Sequence, residues 1–133
     1  MTLYRPVGIA EYNLIRESGF KEFPPRLPEQ PIFYPVTNKA YAEQIASDWN
    51  IADEKSGYAG IVMQFEIDNN YLKKFEKKIV GSSEHEEYWI PAEELEEFNS
   101  NIKGAIEPVS AAFGEQFDKL HFQNHPELKT LQK

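Results

Sequence analysis

The amino-acid sequence predicts a single α+β domain with a mixed, mostly antiparallel sheet and flanking helices. Strand-like and helix-like segments alternate along the chain, and few connections are long enough for the crossovers that parallel strands need. The clearest strand, residues 60–67, alternates between apolar side chains and a second set that includes polar ones, as a one-sided sheet requires. With 133 residues, 41% of them hydrophobic, the chain is long enough to bury one core.

The chain begins with a predicted strand–helix unit. Residues 3–5 form a short strand, which we expect Pro6 and Gly8 to end. Residues 9–18 follow as a helix with apolar side chains on one side. Gly19 then fits the left-handed residue that commonly ends a helix.

A proline-rich stretch comes next. Residues 20–23 alternate like an edge strand, and residues 24–31 hold four prolines in eight positions, which predicts a stiff surface loop. Residues 32–36 form a strand that its own proline, Pro35, interrupts.

A second helix follows this strand. Thr37 or Asn38 can cap it, and its pattern continues through Trp49. Its apolar residues have the spacing of a buried stripe that includes Trp49, so we expect this indole to be structural.

The second half of the chain repeats short strands and helices. After residues 60–67 the pattern predicts a helix over 69–75, a strand over 77–80, a turn at 81–83, a strand carrying Glu87, an acidic helix over 92–98 and a last strand over 105–109 after a break at Gly104. We expect residues 1–113 to form the domain. Residues 114–133, where the apolar pattern weakens, form a helical or flexible C-terminal appendage.

Composition excludes several classes of function. The absence of cysteine excludes a disulfide framework, a thiol nucleophile and a thiolate zinc site. The net charge of −8 argues against a protein that tracks the DNA backbone. No apolar run approaches the length of a membrane span, and the N-terminal segment lacks the layout of a secretory signal, so we expect a cytoplasmic protein without a membrane partner.

Glu87 is the first candidate for chemistry. It lies where an acidic run enters the aromatic strand residues 88–90, and a carboxylate at such a border can be partly desolvated and directed into a cleft. His85 lies two residues earlier on the same strand face and could poise an acid or a hydroxyl-binding site near neutral pH. A polar strand start and a solvated turn histidine are the alternatives.

Other candidates are ligand-binding side chains. Arg5 could hold a phosphate through two parallel hydrogen bonds, or pair with a surface acid. Tyr34 could stack on an aromatic ligand or lie in the core. His121 and His125 have the i, i+4 spacing of zinc ligands on a helix, but no third ligand is evident, so we expect no metal site.

The order of these parts resembles the ADP-ribosyltransferase fold family. The segment Glu86-Glu87-Tyr88-Trp89-Ile90-Pro91, with Glu94 downstream, is similar to the Glu-x-Glu-Val-Leu-Ile-Pro stretch of arginine-directed mono-ADP-ribosyltransferases. The first glutamate of that motif falls on His85 here, and the family's Ser-Thr-Ser element corresponds to residues 33–37, which hold no serine.

Residues 3–113 also resemble small bacterial proteins labelled ADP-ribosylation/crystallin J1. The shared segments are Leu-Tyr-Arg-Pro, the Phe-Pro-Pro-Arg-Leu-Pro run and the Trp-Ile-Pro-Ala-Glu-Glu-Leu segment. The crystallin J1 relatives are large helical ADP-ribosyl-glycohydrolases with clustered aspartates for magnesium. The scattered aspartates of this short chain do not match that side of the label.

The resemblance implies a split sheet that binds NAD as a substrate. Glu87 would then stabilise the ribose oxocarbenium ion, Arg5 would contact the diphosphate, Tyr34 would stack on nicotinamide and Arg26 would reach the same ligand. The reaction would be ADP-ribosyl transfer, with a protein as one candidate acceptor, or NAD glycohydrolysis. The same scaffold could instead serve as a non-catalytic acidic interaction or adaptor domain, or as a module that binds nucleotide or ADP-ribose without reacting.

Overall fold

The computed structural model describes residues 1–81 and 85–132, so most of the predicted turn at residues 81–83 lies outside the described residues. The strands are β1 (Thr2–Val7), β2 (Ile32–Phe33), β3 (Ala59–Ile67), β4 (Lys77–Ile79), β5 (Glu86–Tyr88), β6 (Ile90–Pro91) and β7 (Ile102–Phe113). The α-helices are α1 (Ile9–Glu17), α2 (Lys39–Asp48), α3 (Asn69–Leu72), α4 (Leu95–Ser100), α5 (His121–Asn124) and α6 (Glu127–Leu131). Short 3₁₀ turns cover Asn50–Ala52, Glu54–Ser56 and Ala92–Glu94.

Antiparallel pairing links the strands, which confirms the α+β class. A three-stranded sheet has the order β1-β3-β7, while β2 pairs with β6 and β4 with β5. Val36 connects these parts, because it forms antiparallel bridges to Tyr4 of β1 and to Glu87 of β5. Two backbone hydrogen bonds of 2.8 and 2.9 Å join Val36 to Tyr4. The first strand is thus tied to β5 through one short segment.

The three-stranded sheet is covered on both faces. The larger core lies between the sheet and helices α1 and α4; its largest fully buried side chains include Leu3, Tyr12, Ile15, Phe33, Ile61, Met63, Phe65 and Phe98. On the opposite face, Val62 packs with residues of α2 in a second, smaller cluster. The one-sided strand predicted for residues 60–67 is therefore wrong at Val62. Gly60 makes this packing possible, since a Cβ there would lie 2.6 Å from the Ala46 Cβ.

The first strand continues through Pro6 rather than ending there. Pro6 pairs in register with Val62 of β3, and β1 ends at Val7. Tyr4 directs its N–H and C=O groups toward Val36, and strand alternation places the backbone nitrogen of Pro6 on that same outer edge. No ladder bond is lost there, so proline is tolerated at the edge.

Residues 20–23 do not form the predicted edge strand. Phe20 has a left-handed backbone with φ of +61°, directly after Gly19 at +79°. The backbone of Phe23 instead exchanges two 2.9 Å hydrogen bonds with the side-chain amide of Asn99. A side chain has taken the position that a neighbouring strand would fill.

Gly104 lies inside the last strand and does not precede it. β7 starts at Ile102, and Gly104 has φ of +75° where the β3–β7 register shifts. A left-handed glycine at such a shift is a bulge that bends the strand without ending it.

Other local predictions are confirmed. Helix α1 buries one side and is followed by Gly19 in the left-handed region. Asn38 caps α2 by accepting a 3.2 Å hydrogen bond from the Tyr41 N–H. The proline-rich loop has no regular helix or strand, and β2 ends before Pro35.

The C-terminal segment packs against the rest of the chain. Phe117 and Leu128 belong to the larger core, and Leu128 is fully buried. Pro126 separates α5 from α6, as the interrupted pattern indicated. The domain boundary after Phe113 stays a prediction, but the residues beyond it contribute to the same core.

Candidate functional site

A cleft of about 570 Å³ opens where the segment around Val36 diverges from β1. The end of β1 forms the floor of the cleft. One wall consists of the C-terminal end of α2 and the two 3₁₀ turns that follow it. The other wall consists of the proline-rich loop, β5 and the residues around Trp89. Small-molecule sites typically enclose roughly 300–1,000 Å³. The cleft therefore has the size of a ligand site.

Four side chains singled out in the sequence line this cleft: Arg5, Arg26, Tyr34 and Glu87. They come from β1, the proline-rich loop, the end of β2 and β5, so the fold brings together residues that are up to 82 positions apart (87 minus 5). His85 does not line it.

Arg5 is held by an ion pair across the cleft floor. Its Nε and Nη2 atoms donate to the two carboxylate oxygens of Glu11 at 2.8 and 2.9 Å. The guanidinium also lies 4.7 Å from the Phe33 ring centroid. Two of its donor directions are thus committed to Glu11, and the remaining N–H groups are those that a phosphate could use.

Arg26 supplies a second guanidinium at the same ring. It lies 5.8 Å from the Phe33 centroid and donates to the Ile32 carbonyl oxygen at 3.1 Å. Burial, and then the positive charge of Arg5, lower the pKa of Arg26, which still remains protonated at neutral pH. Within residues 1–81 and 85–132, no carboxylate forms an ion pair with it, and its Nε atom is buried without a hydrogen-bond partner. The cleft therefore holds the guanidinium groups of Arg5 and Arg26, together with Lys55, alongside the carboxylates of Glu11, Asp53 and Glu87.

Glu87 is positioned by two donors. The Tyr41 hydroxyl donates to one of its oxygens at 3.1 Å, and the Trp89 indole N–H donates to the other at 2.8 Å. Burial, and then the Glu87 carboxylate, raise the pKa of Tyr41, so this hydroxyl stays protonated and able to donate.

His85 contacts Tyr41, the residue whose hydroxyl donates to Glu87. Its ring stacks on the Tyr41 ring with centroids 4.3 Å apart and planes 11° from parallel. The direct pairing of His85 with Glu87 considered from the sequence is thus replaced by a chain from imidazole to phenol to carboxylate.

Three exposed aromatic rings line the same cleft. Tyr34, Trp49 and Trp89 are 40%, 59% and 42% exposed. Tyr34 and Trp89 meet edge to face, with centroids 5.8 Å apart. Tyr34 is therefore not the core residue of the alternative interpretation, and stacking faces are available to a flat ligand.

The structural role expected for Trp49 is wrong. Helix α2 ends at Asp48, and Trp49 has φ of −123° and ψ of −56°, outside the helical region. The backbone leaves the helix one residue too early for the indole to join the buried stripe. Both tryptophans of the chain consequently lie at the cleft.

Asn50 and Ser56 form a buried polar pair at the far end of the cleft. They are 4% and 6% exposed, and the Asn50 Nδ2 donates to the Ser56 Oγ at 2.9 Å. Ser56 in turn donates to Asp53 Oδ2 at 2.7 Å. The sequence showed only a polar stretch here, with no periodicity to indicate that its amide is buried.

The histidine pair His121 and His125 is engaged with aromatic rings. His121 packs on Phe117 at 5.5 Å between centroids and His125 on Tyr12 at 5.6 Å. Across the described part of the chain, no group of three or more potential metal ligands occurs. Nor does any helix within it combine the length and apolar character needed to cross a membrane.

Comparisons with protein-family models, with curated proteins and with solved structures find no match to this sequence. The resemblance to ADP-ribosyltransferases stays a prediction. We therefore base the proposed function on the residues of the cleft itself.

Proposed function

We propose that the cleft binds NAD and that the protein transfers ADP-ribose to an acceptor, or to water as an NAD glycohydrolase. The observation that carries this proposal is the convergence of Arg5, Arg26, Tyr34 and Glu87 on one cleft. Guanidinium groups bind a diphosphate, an aromatic ring stacks on nicotinamide, and a carboxylate stabilises the positive charge that develops on the ribose.

The reaction breaks the bond between the ribose C1′ and the nicotinamide nitrogen. The bonding electron pair leaves with nicotinamide, which departs as a neutral molecule, and positive charge develops on the ribose ring. The acceptor oxygen or nitrogen, or water, then bonds to C1′ and releases one proton. Atoms and charge balance without a metal or a redox partner.

Glu87 would act at two points of this sequence. Its carboxylate, positioned by the Tyr41 and Trp89 donors, can stabilise the oxocarbenium charge and hold a ribose hydroxyl. It can then accept the proton of the incoming nucleophile. Arg5 and Arg26 would offset the diphosphate charge, with Arg26 the more available because Arg5 already binds Glu11.

Glu87→Gln tests the proposal directly. Glutamine keeps an acceptor oxygen for one of the two donors and removes the negative charge, so nicotinamide release should fall at least about 100-fold while the melting temperature stays nearly unchanged. Glu86→Gln is the matched control, because Glu86 lies next to Glu87 on β5 but points to the other face, where it bonds Thr37. Full nicotinamide release by Glu87→Gln, with Glu86→Gln unchanged, would remove the catalytic role.

Binding and turnover can be separated in the wild-type protein. NAD at about 100 times its dissociation constant should stabilise the fold by about 2.7 kcal/mol. Stabilisation without nicotinamide release would indicate a nucleotide- or ADP-ribose-binding module. No stabilisation would leave the non-catalytic interaction domain.

A further inference from the structure

The cleft has two chemically different ends. Glu87 lies next to Val36, which pairs with Tyr4, and Gly8 is four residues further along the chain, about 13 Å away at the rise of a strand. Gly8 packs directly against Ser56, since a Cβ on Gly8 would lie 2.6 Å from the Ser56 Cα. The end formed by Trp49, Asn50 and Ser56, where Asp53 also lies, is therefore distant from Glu87, with Arg5 on the strand between them.

Asn50 presents an unmatched acceptor at this far end. Its Nδ2 donates to Ser56, and the Ser56 hydroxyl donates to Asp53, so the direction of donation along this chain fixes which amide atom is the oxygen. The Oδ1 atom is buried, and no donor in residues 1–81 or 85–132 bonds to it. Buried acceptors without a donor are rare in folded proteins, so this atom indicates a missing hydrogen-bond partner.

Two residues that line the cleft carry a buried polar atom without a partner among residues 1–81 and 85–132. Arg26 Nε is a donor without an acceptor, and Asn50 Oδ1 is an acceptor without a donor. Beside Asn50 lies the exposed indole of Trp49. A ligand that matches these groups carries an anion in its middle and a flat ring with an N–H donor at its end.

We infer that the Trp49–Asn50 end of the cleft recognises adenine, with the ring stacked on Trp49 and the exocyclic amine donating to Asn50 Oδ1. This inference rests on the proposed function, since it assigns the end of the dinucleotide that the reaction leaves unchanged. Hypoxanthine and guanine carry a carbonyl oxygen where adenine carries the amine, so that oxygen would face the Asn50 oxygen, and their nearest donor, the N1–H, is displaced from the position of the adenine amine. Asn50 is thus a specificity-determining residue.

Entry to this end requires a side-chain movement. The Asn50 oxygen is closed to water, so a ring reaches it only after a neighbouring group has shifted. Trp49 is 59% exposed and can change its rotamer with little loss of packing. The same indole can then cover the bound ring.

ADP and IDP test the inference, because they differ only at C6, an amine against a carbonyl, and at the neighbouring N1, which carries a hydrogen in IDP. In a Trp89→Phe protein, Trp49 is the sole tryptophan and reports on this end by fluorescence. ADP should change the Trp49 emission and bind about tenfold more tightly than IDP, the effect of one hydrogen bond to a buried group. Equal affinities, or no binding of either nucleotide, would overturn the inference.

Two further variants assign the preference to its residues. Asn50→Leu should abolish the difference between ADP and IDP, whereas Asn50→Asp, which keeps the acceptor, should retain it. Trp49→Ala should weaken both nucleotides equally, because stacking does not distinguish the two rings. Retention of the ADP preference in a folded Asn50→Leu protein refutes the assignment. If that variant does not fold, the ratio of the ADP and IDP dissociation constants in the protein that retains Asn50 decides the question.

Nicotinamide release separates this inference from the proposed function. If NAD is not cleaved but ADP is preferred over IDP, the base site stands and the catalytic proposal fails. If NAD and its hypoxanthine analogue are cleaved and bound equally well, catalysis stands and the base site fails.

Discussion

The ion pair between Arg5 and Glu11 should make an unusually large contribution to stability. Two hydrogen bonds of 2.8 and 2.9 Å join the groups, and the side chains are only 11% and 20% exposed. Glu11→Gln would leave the Arg5 guanidinium largely desolvated, facing a neutral amide that can accept but cannot neutralise it.

The expected magnitude lies between two limits. Removing one partner of a fully buried pair costs roughly 3–5 kcal/mol, whereas an exposed pair is worth roughly 0.2–1 kcal/mol. The low exposure of Arg5 and Glu11 places this pair toward the first limit, and the retained glutamine acceptor reduces the loss. We expect Glu11→Gln to lower the free energy of unfolding by about 2 kcal/mol, which corresponds to about 6 °C in melting temperature for a chain of this size.

Urea denaturation and thermal melting followed by circular dichroism measure this loss. Glu17→Gln on the same helix is the charge-matched control, because Glu17 is exposed. A double-mutant cycle with Arg5→Met isolates the pair from the interaction of Glu11 with the helix dipole, and its coupling energy should exceed about 1 kcal/mol. A loss no larger than that of Glu17→Gln would refute the reasoning.

The same substitution should affect ligand binding in the opposite direction. Glu11→Gln leaves one acceptor oxygen where Glu11 has two, which frees one donor direction of Arg5. It also removes a negative charge from the cleft, so ADP should bind several-fold more tightly even as the protein becomes less stable. Weaker ADP binding in that variant would show that Glu11 orients Arg5 for the ligand rather than competing with it.

Two predictions concern the core. Gly60→Ala should destabilise the protein by about 2–3 kcal/mol in urea denaturation, because the new Cβ would lie 2.6 Å from the Cβ of Ala46. Gly104→Ala is the control: its Cβ would meet no atom within 4 Å, so it should cost only about 1 kcal/mol for the positive φ of this position. Burial, and then the Glu127 carboxylate, raise the pKa of Tyr12 to about 12. Since an unfolded tyrosine ionises near pH 10, this contribution to stability is fully present below about pH 10 and is lost as the pH rises to about 12, a loss that Tyr12→Phe should remove.

Local signals in the sequence were sufficient for most of the elements. The apolar side of α1, the left-handed Gly19 and the Asn38 cap are decided by neighbouring residues, and the structure has all three. The residue types of Arg5 and Glu87 also indicated polar groups at strand borders. Patterns of this kind depend on contacts within a few positions, which is why they can be read directly.

Most of the failures involve distant partners. Phe23 lost its strand because the Asn99 amide, 76 positions away, satisfies its backbone. Pro6 stayed within β1 because its ring lies at an edge that only the three-dimensional pairing defines. Trp49 left its helix stripe through one non-helical residue, and the burial of Asn50 had no signal at all.

The single-residue bridge at Val36 has a consequence for the mechanics of the molecule. Two backbone hydrogen bonds join Val36 to Tyr4. On the other side Thr37 donates to Glu86 and Tyr88 donates to the Pro35 carbonyl oxygen, so few backbone bonds resist the separation of β5 from β1. A small molecule that touches both walls would span this seam and act as a cross-link. Part of its binding free energy would then oppose the separation of β5 from β1, and the cleft would become narrower and stiffer when a ligand fills it.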